Sequence, residues 1–214
     1  MNTNTFRNMS YGVYVVTTFD HDRPVGCIAN SIMQISSEPP TVAVSINHDN
    51  YTNHCITKSG QFAFSILSEK SAPNIIGTFG FHSSRDTNKF SDIPYITKKN
   101  LPVIIDTCGY VLCHVRDIME TETHTVFLGE VTDANTLDTS TPAMTYAYYH
   151  NVIKGKTPKN APSYLQEKNS ESPEKRLGRW ECQVCAYVYE GESLKKDFRC
   201  PICGQNTDKF LRIE

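Results

Sequence analysis

The sequence predicts a mainly β protein made of two units, an antiparallel barrel or sandwich followed by a small metal-binding domain. Many short runs of β-branched and aromatic residues, separated by turn residues, indicate the first unit. Two Cys-x-x-Cys pairs near the C-terminal end indicate the second unit. A stretch rich in Pro, Lys, Glu and Ser separates the two. The 214 residues suffice for one medium-sized domain and one small domain.

The first unit contains more strands than helices. Strands are predicted where β-branched and aromatic residues cluster, at 11–18, 41–46, 62–67, 109–118 and 125–131. Two segments between them, 51–59 and 72–79, predict short helices, with Asn50 and Ser71 as N-caps. This balance favours an antiparallel sheet over a doubly wound one. No G-x-G-x-x-G motif follows a strand, which argues against a Rossmann dinucleotide domain.

The composition is that of an ordinary globular protein, with 39% hydrophobic residues and a net charge of -2. Neither half of the chain has the excess of basic residues that would select a nucleic acid. Residues 1–10 are polar, and the apolar run 11–16 is too short for a signal peptide or a membrane span. We therefore expect a cytoplasmic protein with no membrane partner. In that reducing compartment, grouped cysteines bind metal more often than they form disulfides.

Four cysteines have the spacing of a tetrahedral metal site. Each Cys-x-x-Cys pair can present two thiolates from one tight turn, and two pairs together form a four-sulfur site that selects iron or zinc. Aromatic residues surround the pairs, and a unit this small needs a metal to supplement its core. The expected ligands are Cys182, Cys185, Cys200 and Cys203, and the aromatic residues are Trp180, Tyr187, Tyr189, Phe198 and Phe210.

The order of these residues resembles rubredoxin, with Trp180 before the first pair and Cys-Pro-x-Cys-Gly as the second. The resemblance covers residues 180–210, and the short loop between the pairs is more similar to the domain at the end of rubrerythrins than to free-standing rubredoxin. It implies one iron ion bound by the four cysteines. Ala186 departs from the family, which usually has glycine there, a residue that tolerates positive φ better. A zinc ribbon has similar cysteine pairs and is the alternative.

The N-terminal part resembles the flavin reductase-like family over residues 5–165. The resemblance rests on segments 26–40 and 42–47, with 50–52, 59–67 and 89–90 following in the family's order. It implies a split β-barrel that binds FMN and works as a homodimer. By this resemblance, the flavin-contacting residues are Gly26, Cys27, Ile28, Ala29, Asn30, Ser31, Ile46, Asn47, Asn50, Tyr51, Thr52 and Lys89.

The chemistry of these residues agrees with flavin binding. Small side chains and backbone amides at 29–31 can hydrogen-bond a phosphate or a ring edge. The first turn of the helix at 51–59 favours an anion, and Lys89 can pair with a phosphate. Asn30, Ser31 and Asn47 are equally well explained as turn residues at strand ends.

Together the two parts resemble the high-molecular-weight rubredoxin family. The resemblance implies an NAD(P)H-dependent oxidoreductase that passes electrons through FMN to a four-cysteine iron centre. From there they would reach a redox protein, such as a flavodiiron protein that reduces oxygen or nitric oxide. The cofactors carry this chemistry, so no catalytic acid–base residue is expected.

Two alternatives stay open: an FMN-binding reductase with a zinc-ribbon docking module, and a barrel that binds no flavin. The sequence also leaves open NADH against NADPH, and reduction within one chain against reduction across a dimer. The expected domain boundaries are 1–165 for the flavin domain, 166–178 for the linker and 179–214 for the iron domain.

Overall fold

An antiparallel sheet of seven strands forms most of the first unit in the computed structural model, which describes residues 1–155, 157, 161–163, 178–191 and 193–213. Its strands run in the order β2-β1-β5-β8-β9-β4-β3, and β6 and β7 form a separate two-stranded hairpin. The strands are β1 (Tyr14–Asp20), β2 (Arg23–Ala29), β3 (Ile32–Ser37), β4 (Pro40–Asn47), β5 (Gln61–Ile66), β6 (Tyr95–Lys98), β7 (Leu101–Ile104), β8 (Gly109–Glu120) and β9 (His124–Thr136). The mainly β architecture expected from the sequence is confirmed.

Three α-helices accompany the sheet in the described part of the chain: α1 (Tyr51–Ser59), α2 (Pro73–Phe81) and α3 (Tyr146–Asn151). Two short 3-10 helices occupy Thr3–Asn8 and Thr207–Lys209. None of the helices among the described residues has both the length and the apolar character that crossing a membrane requires.

The N-cap expected for α1 is present and the one expected for α2 is not. The Asn50 side chain accepts a hydrogen bond from the Thr52 N–H at 3.1 Å, and this helix begins and ends where the sequence predicted. Helix α2 instead begins at Pro73. The assignment of Ser71 as its cap is wrong, because Ala72 is the N-cap and no side chain caps this helix. The Ser71 hydroxyl donates to the Asp106 carbonyl, and the Asp106 carboxylate accepts from the Ala72 N–H at 2.9 Å.

Strand β4 alternates between buried and partly exposed residues, as a strand with one face on the core should. Its inward side chains, Val42, Val44 and Ile46, belong to an apolar cluster with Phe62 and Phe127. Strands β2 and β3 were not predicted as strands. They flank the segment 29–31, which the sequence assigned to flavin contact, and so place it where two strands meet.

The second unit is a three-stranded sheet in the order β11-β10-β12, formed by β10 (Gly178–Cys182), β11 (Val188–Gly191) and β12 (Phe210–Arg212). Gly178, which the sequence placed at the end of the linker, begins β10. The rest of the expected linker, 166–177, lies outside the described residues.

The two units share one apolar cluster. Cys182, Cys185 and Ile202 of the second unit pack in it with Ile76 and Phe79 of α2. Each of these side chains is at most 4% exposed. The cysteine site therefore lies against the first unit rather than away from it.

Candidate flavin cavity and metal centre

Two matching turns carry the four cysteines. In the first, the Ala186 N–H donates to the Cys182 carbonyl at 2.8 Å; in the second, the Gly204 N–H donates to the Cys200 carbonyl at 2.8 Å. The residue that closes each turn is left-handed, with φ of 57° at Ala186 and 70° at Gly204. The departure from glycine noted in the sequence thus falls at a position where a side chain is strained.

The four sulfurs are close enough for one metal ion. Sγ atoms are 3.5 Å apart for Cys182 and Cys203 and 3.4 Å apart for Cys185 and Cys200, and all four lie within 4.8 Å of one another. A tetrahedral ion with metal–sulfur bonds of about 2.3 Å has sulfurs roughly 3.8 Å apart. The four thiols therefore fit an iron or zinc ion.

The pKa values of the cysteine thiols are shifted in different directions. A hydrogen bond joins the Cys185 and Cys200 sulfurs, and it lowers the pKa of Cys200 and raises the pKa of Cys185. Burial raises the pKa of Cys203 to about 12. A bound cation would replace the remaining protons and make all four sulfurs thiolates.

A chain of aromatic rings supports the metal domain. Ring centroids are 6.0 Å apart for Trp180 and Tyr189, 4.7 Å for Tyr189 and Phe198, and 5.5 Å for Phe198 and Phe210. Tyr187 instead packs against the cluster that the two units share. The aromatic residues that the sequence singled out thus have two roles, one within the domain and one toward the first unit.

A cavity of about 610 Å³ lies where the first unit meets the metal domain. Its volume is in the range of small-molecule sites. Part of the expected flavin-contacting set lines it: Ile28, Ala29, Asn30, Ile46, Asn47, Asn50 and Tyr51. The cavity therefore collects residues from two separate sequence motifs into one site.

Polar contacts hold the expected flavin residues in place. The Asn30 amide donates to the Ser163 hydroxyl at 2.6 Å and accepts from the Ser31 hydroxyl at 3.2 Å. Asn47 accepts from the Asp49 N–H at 2.9 Å. Asn30 is thus oriented by its neighbours and is 4% exposed.

Gly26, Cys27, Ser31, Thr52 and Lys89 are not among the residues that line this cavity. Cys27 is buried, and burial raises the pKa of its thiol. The Lys89 ammonium donates to the carbonyls of Gly26 at 2.8 Å and Phe79 at 3.2 Å, so it links β2 to α2.

Sequence reasoning missed three groups of cavity residues. The first is the end of α2 and the segment after it, which contributes Phe79, His82 and Ser83. The second is the aromatic pair Tyr146 and Tyr149 on α3, and the third comes from the metal domain, which contributes Glu181 and Ala186. None of these has a local motif that marks it.

Positive charge lies at the Tyr51 edge of the cavity. The guanidinium carbons of Arg23 and Arg85 are 5.6 and 5.4 Å from the centre of the Tyr51 ring. The Tyr51 hydroxyl donates to Asp20 at 2.8 Å, and this bond, with one from Arg23, lowers the pKa of Asp20. Asp20 thus pairs with Arg23 beside the Tyr51 ring, and Arg85 adds a second guanidinium group there.

Family profiles match both parts of the chain: the flavin reductase like domain matches residues 6–155, and the rubrerythrin, rubredoxin-like domain matches residues 180–211. The chain belongs to the flavin reductase-like family and carries a C-terminal rubredoxin-like metal domain. It is an oxidoreductase of the flavin reductase type.

Three relatives define this class further. The chain is 36% identical to the high molecular weight rubredoxin of Moorella thermoacetica over 230 aligned positions that cover all of both chains. It is 35% identical to a ferric-chelate reductase (NAD(P)H) of Archaeoglobus fulgidus, over 78% of this chain and 100% of that one. Among solved structures, the NADH:FAD oxidoreductase of Streptomyces globisporus superposes with a TM-score of 0.61 at 26% identity, over 66% of this chain and 84% of that one. The resemblance to high-molecular-weight rubredoxins is confirmed.

Proposed function

We propose that this protein passes electrons from NAD(P)H through FMN to an iron ion held by the four cysteines, and then to a second redox protein. The observation that carries this proposal is that Glu181 and Ala186, which flank the first cysteine pair, line the same cavity as the flavin-motif residues. A flavin in this cavity would touch the domain that holds the iron. When bound, the flavin supplies hydride chemistry and the iron supplies one-electron chemistry.

The residues of the chain would bind and orient these groups. Asn30, held by Ser163 and Ser31, offers hydrogen-bonding groups to a ring edge. Arg85 and the first turn of α1 offer positive charge to the single phosphate of FMN. The side chains of Phe79 and Tyr149 would exclude water from the ring.

Iron is favoured over zinc by the aromatic packing of the metal domain, which resembles rubredoxin. The proposed boundaries are 1–165 for the flavin domain, 166–178 for the linker and 179–214 for the metal domain; the family matches at 6–155 and 180–211 support a division into two domains. Four reduced thiols require a reducing compartment, which supports a cytoplasmic location.

The proposed partners are NAD(P)H, a redox protein acceptor such as a flavodiiron protein, and a second copy of this chain. The ferric-chelate reductase relative carries NAD(P)H in its name, which supports the electron donor. Exposed apolar side chains on β3 and β8 support a homodimer: Met33, Ile35, Ile118 and Met119.

Cofactor content tests the proposal. Protein purified anaerobically from its native organism should hold about one FMN and about one iron per chain, and the ferric four-sulfur absorption should bleach on reduction. Stoichiometric zinc in that protein would argue for the zinc-ribbon alternative. Saturating FMN that changes neither flavin fluorescence nor melting temperature would contradict flavin binding.

A further inference from the structure

We infer that Gly77 is a positioning residue that lets the metal domain dock on the flavin domain of its own chain, so that the iron is reduced within one chain. This inference rests on the proposed function. It concerns the question that the sequence leaves open, whether electrons stay in the chain or cross a dimer.

Gly77 lies in the middle of α2, at the point where the second cysteine pair meets the helix. A Cβ atom at this position would be 2.6 Å from the Cys203 Cβ, 3.0 Å from the Cys203 Cα and 3.5 Å from the Ile202 carbonyl oxygen. These are backbone atoms and the first side-chain atom of a metal ligand, so none can rotate away. A side chain at position 77 must therefore push the metal domain off the helix.

Glycine is an unfavourable residue in the middle of a helix, so its presence in α2 needs an explanation. A glycine inside a helix costs about 1 kcal/mol relative to alanine. Because Gly77 has no side chain, the four-cysteine domain can pack closely against α2. Gly77 itself does not line the cavity, and the three atoms nearest to its Cβ position all belong to the metal domain.

Helix α2 lies between the second cysteine pair and the flavin cavity. Ile76, next to Gly77, lines the flavin cavity and also a smaller cavity of about 340 Å³ beside Tyr187 and Ile202 of the metal domain. On the other side, Ala186 brings the first cysteine pair to the cavity directly. The first cysteine turn thus reaches the flavin cavity of the same chain, and the second packs on the helix that forms part of the cavity wall.

NAD(P)H donates two electrons at once, whereas the iron accepts one at a time. One hydride from NAD(P)H carries two electrons, and one ferric ion accepts one of them to become ferrous. The flavin would hold the second electron until the iron has passed the first to the external acceptor. Each NAD(P)H therefore reduces the iron twice, and the released proton goes to solvent.

Gly77→Ala in the full-length protein with its cofactors tests the docking. Hydrogen exchange of the backbone amides in 198–204 should become about tenfold faster, because the contact that covers this turn is lost. Iron reduction after addition of NAD(P)H, measured at saturating FMN, should slow by about tenfold or more. Thr78→Ala is the matched control, since it changes the next residue of the same helix and should leave both measurements as in the wild type.

Equal exchange in Gly77→Ala and wild type would overturn the docking inference. This measurement needs no electron donor, so it is independent of the proposed function. If the wild-type iron is not reduced at all, the proposed function fails while the exchange result still decides the docking.

Mixed chains test whether reduction stays within one chain. A Cys203→Ser chain, which keeps its flavin site, is combined by co-expression with an Asn30→Trp chain, whose cavity is filled but whose cysteines are intact. Within-chain reduction predicts that the iron of the second chain stays ferric after NAD(P)H is added. Bleaching of that iron at the wild-type rate would overturn the inference.

Discussion

Replacing Lys89 with methionine should remove a specific pH dependence of stability. Lys89 is 3% exposed, and its ammonium is satisfied by the carbonyls of Gly26 and Phe79. Burial lowers the pKa of Lys89 from 10.5 to about 8, although the charge interaction with Cys27 opposes this effect. The folded protein thus releases this proton at a lower pH than the unfolded chain.

The difference in the pKa of Lys89 between the folded and unfolded states sets how the free energy of unfolding changes with pH. Between pH 8 and 10.5 the unfolded chain holds the Lys89 proton and the folded protein does not, so the free energy of unfolding rises with pH. The stability that the neutral amine contributes is complete above pH 10.5 and is lost as the pH falls through 8. At 1.36 kcal/mol for each tenfold change, the rise is about 3 kcal/mol.

Denaturant unfolding from pH 7 to 10.5 measures this effect as the difference between wild type and Lys89→Met. Other groups titrate in this range, but their contributions cancel in the difference. Lys98→Met provides a matched control, because Lys98 is exposed on β6. A wild-type minus Lys89→Met difference that stays constant across this pH range would refute the account of Lys89.

Three further changes test the cofactor sites. Cys203→Ser should abolish binding of about one metal ion per chain, measured by elemental analysis, because a closed four-thiolate site has no spare ligand; full metal content would contradict the site. Asn30→Ala should weaken FMN binding by about 1–3 kcal/mol in calorimetric titration, because it removes an oriented partner for the ring; an unchanged dissociation constant would place Asn30 outside the contact. Ala186→Gly should stabilise the metal-loaded domain by about 1 kcal/mol in thermal unfolding, because glycine relieves the strain of φ 57°; a lower melting temperature would contradict this.

Local sequence signals predicted the features that depend on neighbouring residues. Asn50 caps α1 because its side chain can accept a hydrogen bond from the backbone N–H of Thr52, two residues later in the chain. An Asn before a helical segment can be recognised from the sequence alone. The spacing of the cysteines likewise predicts the ligand set that the structure brings together. Ser71 failed as a cap because the helix begins one residue later than expected, after Ala72, and because Asp106, far along the chain, accepts a hydrogen bond from the Ser71 hydroxyl.

The wall between the two sites could not be predicted from the sequence. In the sequence, Gly77 is only a residue of low helix propensity within a short predicted helix. The structure shows that Cys203 packs against it. Ala186 reads as a departure from the family, and nothing local shows that it reaches the cavity. Both depend on how two units pack, and that packing is set by apolar surfaces far apart in the chain.

Anaerobic rapid mixing of the FMN- and iron-loaded protein with NAD(P)H tests the central claim most directly. The flavin absorption and the ferric four-sulfur absorption are followed together in the same sample. The account predicts that the flavin is reduced first and that the iron band then bleaches at a rate independent of protein concentration. Flavin that is fully reduced while the iron stays ferric would contradict it.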